Sequence, residues 1–416
     1  MKSDLFTLVK DLIKADYKYK DITISGIKTN SKQVLPGDLF VAVKGTNFDG
    51  HDFINQAINN GAKAVITSNN YININSTLQI KVSNTRKAVS HLSSIFYGNP
   101  SKDLIIIGIT GTNGKTTTAY LTTKALINAG YKTAQIGTTG VIAHGFNDKL
   151  TLTTPDAISL QRILNKLKAK HFTHVVMEVS SHALDQYRVA NIKFNIGVFT
   201  NITPEHLDYH SSMEDYYQAK SKLFKTLRKN DLAIINNDNE SGKRLLSEVK
   251  SSALLFSKNN KNTIHFSNYN LSLDGIEGNI KADKSSYHIK SYLIGKYNQE
   301  NILAAVSILH SLKLKKKYIE DGINECKHIP GRLESFKLLT GAKAIIDYAH
   351  TPDAYKNVLS TIRELLIKNS QLYVVFGAGG ERDKYKRPKM AQVAELFANK
   401  CFITPDNPRN ENIDNI

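Results

Sequence analysis

The sequence predicts an α/β protein built on a parallel sheet and divided into more than one domain. Its 416 residues are too many for a single hydrophobic core. Short apolar runs alternate with helical segments, which is typical of parallel strands covered by helices on both faces. A hydrophobic content of 41% excludes a chain that is disordered throughout.

The first hundred residues alternate short strands with short helices. Residues 1–20 indicate an amphipathic helix, because acidic residues are spaced among the apolar ones. Further along are a predicted strand at Asp38–Val43, a helix at Phe53–Asn60 and a strand at Ala64–Thr67. The turn chemistry of Gly98-Asn99-Pro100 predicts a linker that ends a first domain over 1–99.

Two more α/β domains are predicted beyond this linker, over 100–331 and 332–416, with Pro330-Gly331 at their boundary. Short alternating runs over 262–295 indicate antiparallel hairpins. The predicted strands are Leu104–Ile109, His174–Glu178, Ile196–Thr200, Leu232–Asn236, Ala344–Asp347 and Tyr373–Phe376, and the predicted helices are Thr116–Ala129, Tyr216–Phe224 and Asn298–Leu312.

The chain is basic, with 55 Lys and Arg against 37 Asp and Glu and a net charge of +18. This surplus favours anionic partners. The basic residues are nevertheless spread along the whole chain, and the longest unbroken basic run is Lys315–Lys317. We find no basic face interleaved with aromatic residues, so we expect no nucleic-acid partner.

The cysteines and the apolar segments indicate in which cellular compartment the protein is expected. Cys326 and Cys401 exclude a disulfide framework and lack metal-ligand spacing. The N-terminus has no apolar signal-peptide core, and Leu104–Ile109 is too short to cross a bilayer. We therefore expect a cytoplasmic protein with no membrane partner.

A glycine-rich segment between a predicted strand and a predicted helix has the context of a phosphate-binding loop. Its backbone N–H groups can surround phosphate oxygens, its lysine can neutralise them, and Thr116 can bind Mg²⁺. The general pattern wants a glycine at the position of Ile109, so a tight strand–helix turn remains an alternative. The segment comprises Gly111, Thr112, Asn113, Gly114, Lys115, Thr116 and Thr117.

Other polar residues follow the neighbouring strands. Glu178 ends a strand, where ligands gather in an open α/β sheet, so it is a candidate Mg²⁺ ligand or else a member of a surface ion pair. His206 and His210 flank Asp208 and suit a metal or phosphate site, or a structural role. By composition, Lys220 is expected to be a solvated lysine.

Ten segments, in order along nearly the whole chain, resemble the Mur ligases. They resemble most closely the members that add the third residue of the peptidoglycan peptide. The segments are TGTNGKTT (110–117), LTTPD (152–156), EVSSHALDQYR (178–188), TNITPEHLDYH (200–210), AKSKLF (219–224), GKYNQENILAA (295–305), PGRLE (330–334), DYAHTPD (347–353), GERDKYKRP (380–388) and DNPR (406–409). The resemblance implies a three-domain fold with a central P-loop parallel sheet and a C-terminal Rossmann-like domain.

The resemblance also implies cofactors and the residues that bind them. The phosphate loop would hold ATP with two Mg²⁺ ions, and Lys220 would carry a CO₂-derived carbamate. Thr116, Glu178, His206 and the carbamate would be the metal ligands, and Lys115 would share the catalytic role. Further nucleotide residues would be Asn298, Asn301, Arg332, Asp347 and His350.

Two substrate sites are implied as well. Turn capping remains an alternative for Thr29 and Ser31, whereas the Arg188 guanidinium suits a substrate carboxylate. The residues implied for the UDP-sugar peptide are Thr29, Ser31, Thr46, Asn47, Phe48, Thr153, Thr154, Ser180, Gln186 and Arg188. Those implied for diaminopimelate are Arg382, Asp406, Asn407, Pro408 and Arg409, with a simple turn as the alternative for the last four.

The expected activity is ATP-dependent addition of meso-2,6-diaminopimelate to the D-glutamate of UDP-N-acetylmuramoyl-L-alanyl-D-glutamate through an acyl phosphate. This is a cytoplasmic step of peptidoglycan synthesis, cell wall biogenesis and cell division, and we expect a monomer. The alternatives are a lysine-adding ligase, a folylpolyglutamate-synthase-like ligase, a P-loop ATPase of another class, or an inactive binding remnant.

The chain stops at Ile416, seven residues after Arg409. The last domain of the family normally continues further, with more contacts to diaminopimelate. We therefore expect an incomplete C-terminal domain, and a chain that binds the UDP-sugar peptide better than it turns it over.

Overall fold

The computed structural model describes residues 1–45, 48–69, 77–146, 150–381 and 383–416. Two compact units are present, Met1–Leu255 and Phe256–Ile416. The predicted boundaries at 99/100 and 331/332 are finer than this division and stay predictions. No helix in the described ranges is long and apolar enough to cross a membrane.

The first unit alternates strands and helices as expected. Its strands are β1 (Ser3–Asp4), β2 (Thr23–Ile24), β3 (Ile27–Lys28), β4 (Leu39–Val41), β5 (Ala64–Thr67), β6 (Leu78–Lys81), β7 (Ile105–Thr110), β8 (Thr133–Gly137), β9 (Gly140–Ile142), β10 (His174–Glu178), β11 (Ile196–Phe199), β12 (Leu232–Asn236) and β13 (Ser252–Phe256). Its helices are α1 (Leu5–Val9), α2 (Ile54–Asn59), α3 (Thr85–Phe96), α4 (Lys115–Asn128), α5 (Ala157–Ala169), α6 (Ser181–Asp185), α7 (Met213–Lys225) and α8 (Glu240–Glu248).

The expected single helix over 1–20 is wrong. Helix α1 has five residues, and a separate 3₁₀ turn spans Tyr17–Asp21. The Asp4 side chain accepts from the Thr7 N–H and starts the helix, whereas Asp16 accepts from the Lys18 N–H and starts the turn. These acidic residues are therefore caps and not the polar face of one long helix.

The central sheet has the order β13-β12-β11-β7-β10-β8-β9 in the described part of the chain. β7 pairs in parallel with β10 and β11, and β9 is antiparallel to β8. Ile106, Ile107 and Ile109 of β7 are all fully buried, so both faces of the sheet are covered as predicted. The β7–β10 register pairs Ile109 with Glu178, which brings that carboxylate beside the start of the phosphate loop.

A smaller parallel sheet, β3-β4-β5-β6, forms the N-terminal part of this unit. Leu39, Val41 and Ile66 from its strands share a hydrophobic core with Leu5 and Leu8 of α1. Burial of such side chains contributes about 2 kcal/mol each, which is what holds the short α1 in place.

The second unit begins with the predicted antiparallel hairpins, β14-β15-β16. Beyond them, β17 pairs with β18 in antiparallel fashion and β19 with β20 in parallel. The elements are β14 (His265–Ser272), β15 (Gly275–Ala282), β16 (Ser285–Ser291), α9 (Tyr297–Ser311), α10 (Lys316–Asn324), β17 (Glu334–Lys337), β18 (Lys343–Ile346), α11 (Pro352–Leu365), β19 (Tyr373–Phe376), α12 (Lys386–Phe397) and β20 (Lys400–Ile403).

Candidate functional site

The glycine-rich segment joins the carboxyl end of β7 to the first turn of α4. Gly114 precedes the helix with φ 87°, a left-handed conformation that glycine adopts without strain. The Thr112 N–H donates to the Asn201 carbonyl (2.9 Å), and the Asn113 N–H donates to Asn201 Oδ1 (2.8 Å). The loop is thus fixed at a helix N-terminus, the position at which proteins bind phosphate.

Two lysines meet at one backbone oxygen of this loop. Lys115 Nζ donates to the carbonyl oxygens of Gly111 (2.9 Å) and Thr112 (2.7 Å). Lys220 Nζ, from α7, donates to the same Gly111 oxygen at 2.9 Å. Lys220 is therefore a neighbour of the phosphate loop and not the solvated lysine that its composition suggests.

Lys220 is only 1% exposed and lies 4.3 Å from the centroid of the Tyr216 ring. Burial lowers the pKa of Lys220 well below its ordinary value, the charge of Lys115 lowers it further, and Glu205 partly opposes this. A lowered pKa increases the fraction of the unprotonated amine, which is the nucleophilic form that reacts with CO₂.

Glu178, the last residue of β10, is fully buried. Its Oε2 accepts from the hydroxyls of Thr116 (2.8 Å) and Thr138 (3.2 Å), and its Oε1 accepts from the Thr138 N–H (2.9 Å). Carboxylate and hydroxyl oxygens are the ligands that Mg²⁺ prefers, so Glu178 and Thr116 fit a magnesium site. The surface ion pair considered for Glu178 is excluded by its burial.

Gly137, at the end of β8, leaves the space that this carboxylate fills. A Cβ at residue 137 would lie 2.1 Å from Glu178 Oε1. We expect Gly137→Ala to lower the free energy of unfolding by about 1–3 kcal/mol, because the buried carboxylate must move away from its donors. Urea denaturation measures this change.

Gly197 on β11 gives a matched control, because a Cβ there would approach only the ends of side chains, 3.2 Å from Leu227 and 3.3 Å from Phe224. Gly197→Ala should cost less than Gly137→Ala. Equal losses would show that crowding of the Glu178 carboxylate is not what restricts residue 137.

The histidines after β11 form a ring cluster with α6 and α7. The His206 backbone is left-handed (φ 57°), its side chain is partly exposed, and its ring centroid lies 4.9 Å from that of His182 and 6.2 Å from that of Tyr216. Burial and the neighbouring histidines lower the pKa of His182 to about 4, so this ring is neutral near pH 7. His210 is buried with Nε2 3.0 Å from Ser181 Oγ, as in its structural alternative.

No three His, Cys, Asp or Glu side chains converge as a metal site in the ranges that the structure describes. No third His, Cys, Asp or Glu side chain from the described ranges therefore completes a metal site with Glu178 and His206.

A cluster of substrate-site candidates extends from Glu178. The Thr154 hydroxyl donates to the Glu178 carbonyl (2.9 Å) and accepts from the Ser180 N–H (3.0 Å). Arg188 Nη1 donates to the Thr154 carbonyl (3.0 Å), while its Nε and Nη2 donate to Gln186 Oε1 (3.1 and 2.6 Å). Thr153 Oγ1 lies 3.1 Å from Thr138 Oγ1. The structure thus brings together all five central residues predicted for the UDP-sugar peptide.

The N-terminal candidates are placed differently. Thr29 is exposed, whereas Ser31 is 5% exposed and donates through Oγ to Gln56 Oε1 (2.6 Å) on α2. The cap of the turn at Ser31 is its neighbour Asn30, which accepts from the Lys32 N–H. Phe48 is 74% exposed. The predictions for Thr46 and Asn47 lie outside the described residues.

The nucleotide candidates of the second unit form two groups. Asn301 Nδ2 donates to Asn298 Oδ1 (2.7 Å), and both side chains are buried in α9. Asp347 accepts from the Leu333 N–H (2.8 Å), beside Arg332, and from the Ala349 N–H (2.8 Å), beside His350. Asp347 therefore ties together the two segments that carry the other candidates.

The diaminopimelate candidates 406–409 form one loop against 379–381. The Gly380 N–H donates to the Asn407 carbonyl (2.9 Å), and Arg409 Nη1 donates to the Gly380 carbonyl (2.5 Å). Asp406 and Pro408 line a cavity of about 550 Å³ in this unit. Arg382 lies outside the described residues.

Thr138 and Tyr216 are site residues that the sequence prediction missed. Thr138 follows β8 directly, and polar residues after a parallel strand are a signal that could have identified it. Tyr216 Oη lies 3.2 Å from Thr112 Oγ1, a contact between residues 104 apart that no sequence pattern indicates.

Three family models match successive parts of the chain. They are "Mur ligase family, catalytic domain" over 23–97, "Mur ligase middle domain" over 109–309 and "Mur ligase, glutamate ligase domain" over 331–416.

Curated relatives match over almost the whole chain. The UDP-N-acetylmuramoyl-L-alanyl-D-glutamate--2,6-diaminopimelate ligase of Geobacter metallireducens is 39% identical over 399 residues, which are 94% of this chain and 77% of the relative. The protein of the same name from Aquifex aeolicus is 41% identical over 394 residues, 93% of this chain and 79% of the relative.

Solved structures are similar as well. A UDP-N-acetylmuramoyl-L-alanyl-D-glutamate--2,6-diaminopimelate ligase matches with a TM-score of 0.79 and 29% identity, covering 100% of this chain and 85% of that one. The MurF ligase of Thermotoga maritima in complex with ADP has a TM-score of 0.62 and 21% identity, covering 92% and 84%. The apo form of Lactobacillus casei FPGS matches with a TM-score of 0.61 and 16% identity, covering 78% of this chain and 85% of that one. The last two similarities concern the fold alone.

Proposed function

The chain belongs to the Mur ligase family and has its three-domain α/β fold, and on that premise we propose its reaction and site. The reaction is ATP-dependent addition of meso-2,6-diaminopimelate to the D-glutamate of UDP-N-acetylmuramoyl-L-alanyl-D-glutamate in peptidoglycan biosynthesis. The relatives that match over 93–94% of the chain carry the name of this activity.

One structural observation supports the proposal most directly. The Thr116 hydroxyl of the phosphate loop donates to the Glu178 carboxylate (2.8 Å), and the Thr154 hydroxyl donates to the Glu178 backbone carbonyl (2.9 Å). Arg188 Nη1 donates in turn to the Thr154 backbone carbonyl (3.0 Å). The phosphate loop and a guanidinium suited to a carboxylate are therefore connected through only two residues, Glu178 and Thr154. A reaction between ATP and a substrate carboxylate requires this neighbourhood.

The reaction proceeds in two steps. The D-glutamyl carboxylate oxygen attacks the γ-phosphorus of ATP, ADP leaves, and an acyl phosphate forms. The amine of diaminopimelate then attacks the acyl carbon, and the tetrahedral intermediate expels phosphate. The loop N–H groups and Lys115 hold the phosphates while Arg188 orients the substrate, so catalysis rests on positioning and charge neutralisation.

We assign Thr116, Glu178, His206 and a carbamate on Lys220 to two Mg²⁺ ions. Bound Mg²⁺ would offset the repulsion between the γ-phosphate and the substrate carboxylate. The burial of the Lys220 amine and its lowered pKa support the modification, in which the nitrogen bonds to the carbon of CO₂ and loses a proton. The carbamate is an anion and attracts Mg²⁺, whereas an unmodified, protonated lysine would repel it.

In the second unit we assign Asn298, Asn301, Arg332, Asp347 and His350 to the nucleotide and 406–409 with Arg382 to diaminopimelate. We assign the UDP-sugar peptide to Thr29, Ser31, Thr46, Asn47, Phe48 and the central cluster that contains Arg188. We also propose that the protein is a cytoplasmic monomer. Size-exclusion chromatography with light scattering measures its mass and tests the oligomeric state.

An acceptor panel tests the function. With the UDP-muramoyl dipeptide, ATP and Mg²⁺, meso-diaminopimelate should stimulate phosphate release, and L-lysine should do so at least about a hundredfold less well in kcat/KM, because it lacks the distal carboxylate. Preference for lysine indicates a lysine-adding ligase. Stimulation by a folate and glutamate indicates the folylpolyglutamate-synthase alternative.

Arg409→Ala should reduce this preference about tenfold or more by removing the cation for that carboxylate. Arg363→Ala is the matched control, because Arg363 is another arginine of the unit and donates to Asn399 Oδ1 at 2.8 Å. An unchanged preference in Arg409→Ala would remove Arg409 from the acceptor site.

A further inference from the structure

The guanidinium of Arg188 is the end of a side-chain hydrogen-bond relay that begins at α7. Lys222 Nζ donates to Asp185 Oδ1 (2.7 Å), and Tyr209 Oη donates to Asp185 Oδ2 (3.0 Å). Gln186 Nε2 donates to Tyr209 Oη (3.2 Å), and Gln186 Oε1 accepts from Arg188 (3.1 and 2.6 Å). The relay therefore joins segments after β10, after β11 and on α7.

Asp185 and Arg188 determine the direction of the hydrogen bonds that lie between them. Lysine and arginine only donate, and an ionised aspartate only accepts. Gln186 must turn its oxygen to Arg188, so its NH₂ faces Tyr209. The Tyr209 oxygen accepts that bond and gives its own proton to Asp185. Asp185 is therefore the acceptor that keeps the Gln186 amide in the orientation that Arg188 requires.

A substrate would meet an arginine that is already oriented. Arg188 uses three of its five N–H groups on Gln186 and the Thr154 carbonyl, among the residues that the structure describes. The remaining N–H groups of this half-buried guanidinium keep a fixed direction only while Gln186 and Thr154 hold it. A prearranged side chain binds its ligand more tightly because less freedom is lost on binding.

We propose that Asp185 and Tyr209 are positioning residues for recognition of the UDP-sugar peptide, acting on Arg188 through the orientation of the Gln186 amide. The inference rests on the proposed function, in which Arg188 binds a carboxylate of that substrate. It adds two residues, and a direction of hydrogen bonding, to the substrate residues Gln186 and Arg188.

The variant Asp185→Asn removes the acceptor of the Tyr209 proton. Lys222 takes the only oxygen of the new amide at position 185, so the amide NH₂ faces Tyr209. The Tyr209 proton then has no acceptor at residue 185 and competes with Arg188 for the Gln186 oxygen, which loosens the hold on the guanidinium. We expect KM for the UDP-muramoyl dipeptide to rise about tenfold, the size of one misdirected hydrogen bond to a charged group, with kcat changed less than about twofold.

The double variant Asp185→Asn/Lys222→Met should recover most of this loss. Without Lys222, the amide oxygen at position 185 is free to accept from Tyr209, and the amide NH₂ can turn to water, because the Asp185 side chain is 41% exposed. KM should return to within about threefold of the wild-type value, while Lys222→Met alone changes it less than about twofold. Tyr209→Phe should raise KM with no rescue by Lys222→Met.

Rescue of one substitution by a second is not expected if Asp185 only stabilises the fold. An unchanged KM in Asp185→Asn, or equal KM values for Asp185→Asn with and without Lys222→Met, would overturn the proposal. Glu240→Gln is the control for loss of a carboxylate–lysine pair, because Glu240 lies 2.7 Å from Lys243 on the exposed face of α8. It should leave KM unchanged.

Two further measurements separate this inference from the proposed function. Ligation by the wild-type chain tests the function itself, and Arg188→Lys tests the assignment of the arginine, with an expected rise in KM larger than that of Asp185→Asn. A rise in Arg188→Lys without one in Asp185→Asn overturns the relay alone. No rise in Arg188→Lys overturns the assignment on which the relay depends.

Discussion

Replacing Lys220 by alanine is expected to reduce the ligation rate by about a thousandfold or more, the loss seen when a charged group that stabilises a transition state is removed. The Lys220 amine lies against the Gly111 carbonyl at 2.9 Å, next to Lys115, so its modified form would be an anion at the edge of the phosphate loop. Phosphate release with the dipeptide substrate, ATP, Mg²⁺ and diaminopimelate measures the rate.

Lys225→Ala is the matched control for this substitution. Lys225 is on the same helix but exposed, where it donates to Gln218 at 2.9 Å, and its loss should leave the rate unchanged. Urea denaturation of both variants separates a loss of folding from a loss of chemistry, because Lys220→Ala also leaves a buried space.

The carbamate has its own test. In buffer freed of CO₂, wild-type activity should fall slowly and return when bicarbonate is added, and ¹³C-bicarbonate should produce a carbamate carbon signal that Lys220→Ala lacks. Undiminished activity after prolonged removal of CO₂, together with an unmodified mass, would contradict the modification.

Glu178→Gln is expected to lower kcat about a hundred- to a thousandfold and to raise the Mg²⁺ concentration needed for half-maximal activity. The substitution removes the buried charge that Mg²⁺ would bind. It also turns an NH₂ group toward Thr116 or Thr138, both of which donate to the carboxylate in the native protein. Steady-state rates over a Mg²⁺ titration measure both effects.

An exposed carboxylate serves as the control. Glu214, which pairs with Arg244 at 2.6 Å, should be replaceable by glutamine with no change in Mg²⁺ dependence. If Glu178→Gln also keeps the wild-type Mg²⁺ dependence, the assignment of Glu178 as a metal ligand is wrong.

Much of the fold could be predicted from local patterns. Predicted and observed bounds coincide for Ala64–Thr67, His174–Glu178, Leu232–Asn236 and Tyr373–Phe376, because a short apolar run between turn residues has few alternatives to a strand. The predicted N-terminal helix is wrong because spacing does not distinguish an acidic cap from an acidic solvent-facing residue. The two roles differ in whether the aspartate side chain accepts a hydrogen bond from a backbone N–H, and only the structure shows this.

The site could be predicted only in part. The phosphate loop and Glu178 lie at the carboxyl ends of predicted strands, and this position is enough to predict a role in ligand binding. Lys220 was identified only through the family resemblance, because its contact with Gly111 joins residues 109 apart in the sequence. The relay from Lys222 to Arg188 was not predicted, since hydrogen-bond direction depends on which side chains meet in space.

The parallel register between β7 and β10 determines the position of the proposed metal ligand Glu178. Pairing of Ile109 with Glu178 determines how far the carboxylate reaches along the sheet. A slip of one residue would move it by about 3.3 Å and turn it to the opposite face, whereas Mg²⁺ accepts oxygen only near about 2.1 Å. Insertion or deletion of one residue within β10 should therefore be far more damaging than the same change in an exposed loop. Under the proposed function, the spacing of backbone hydrogen bonds is itself part of the catalytic geometry.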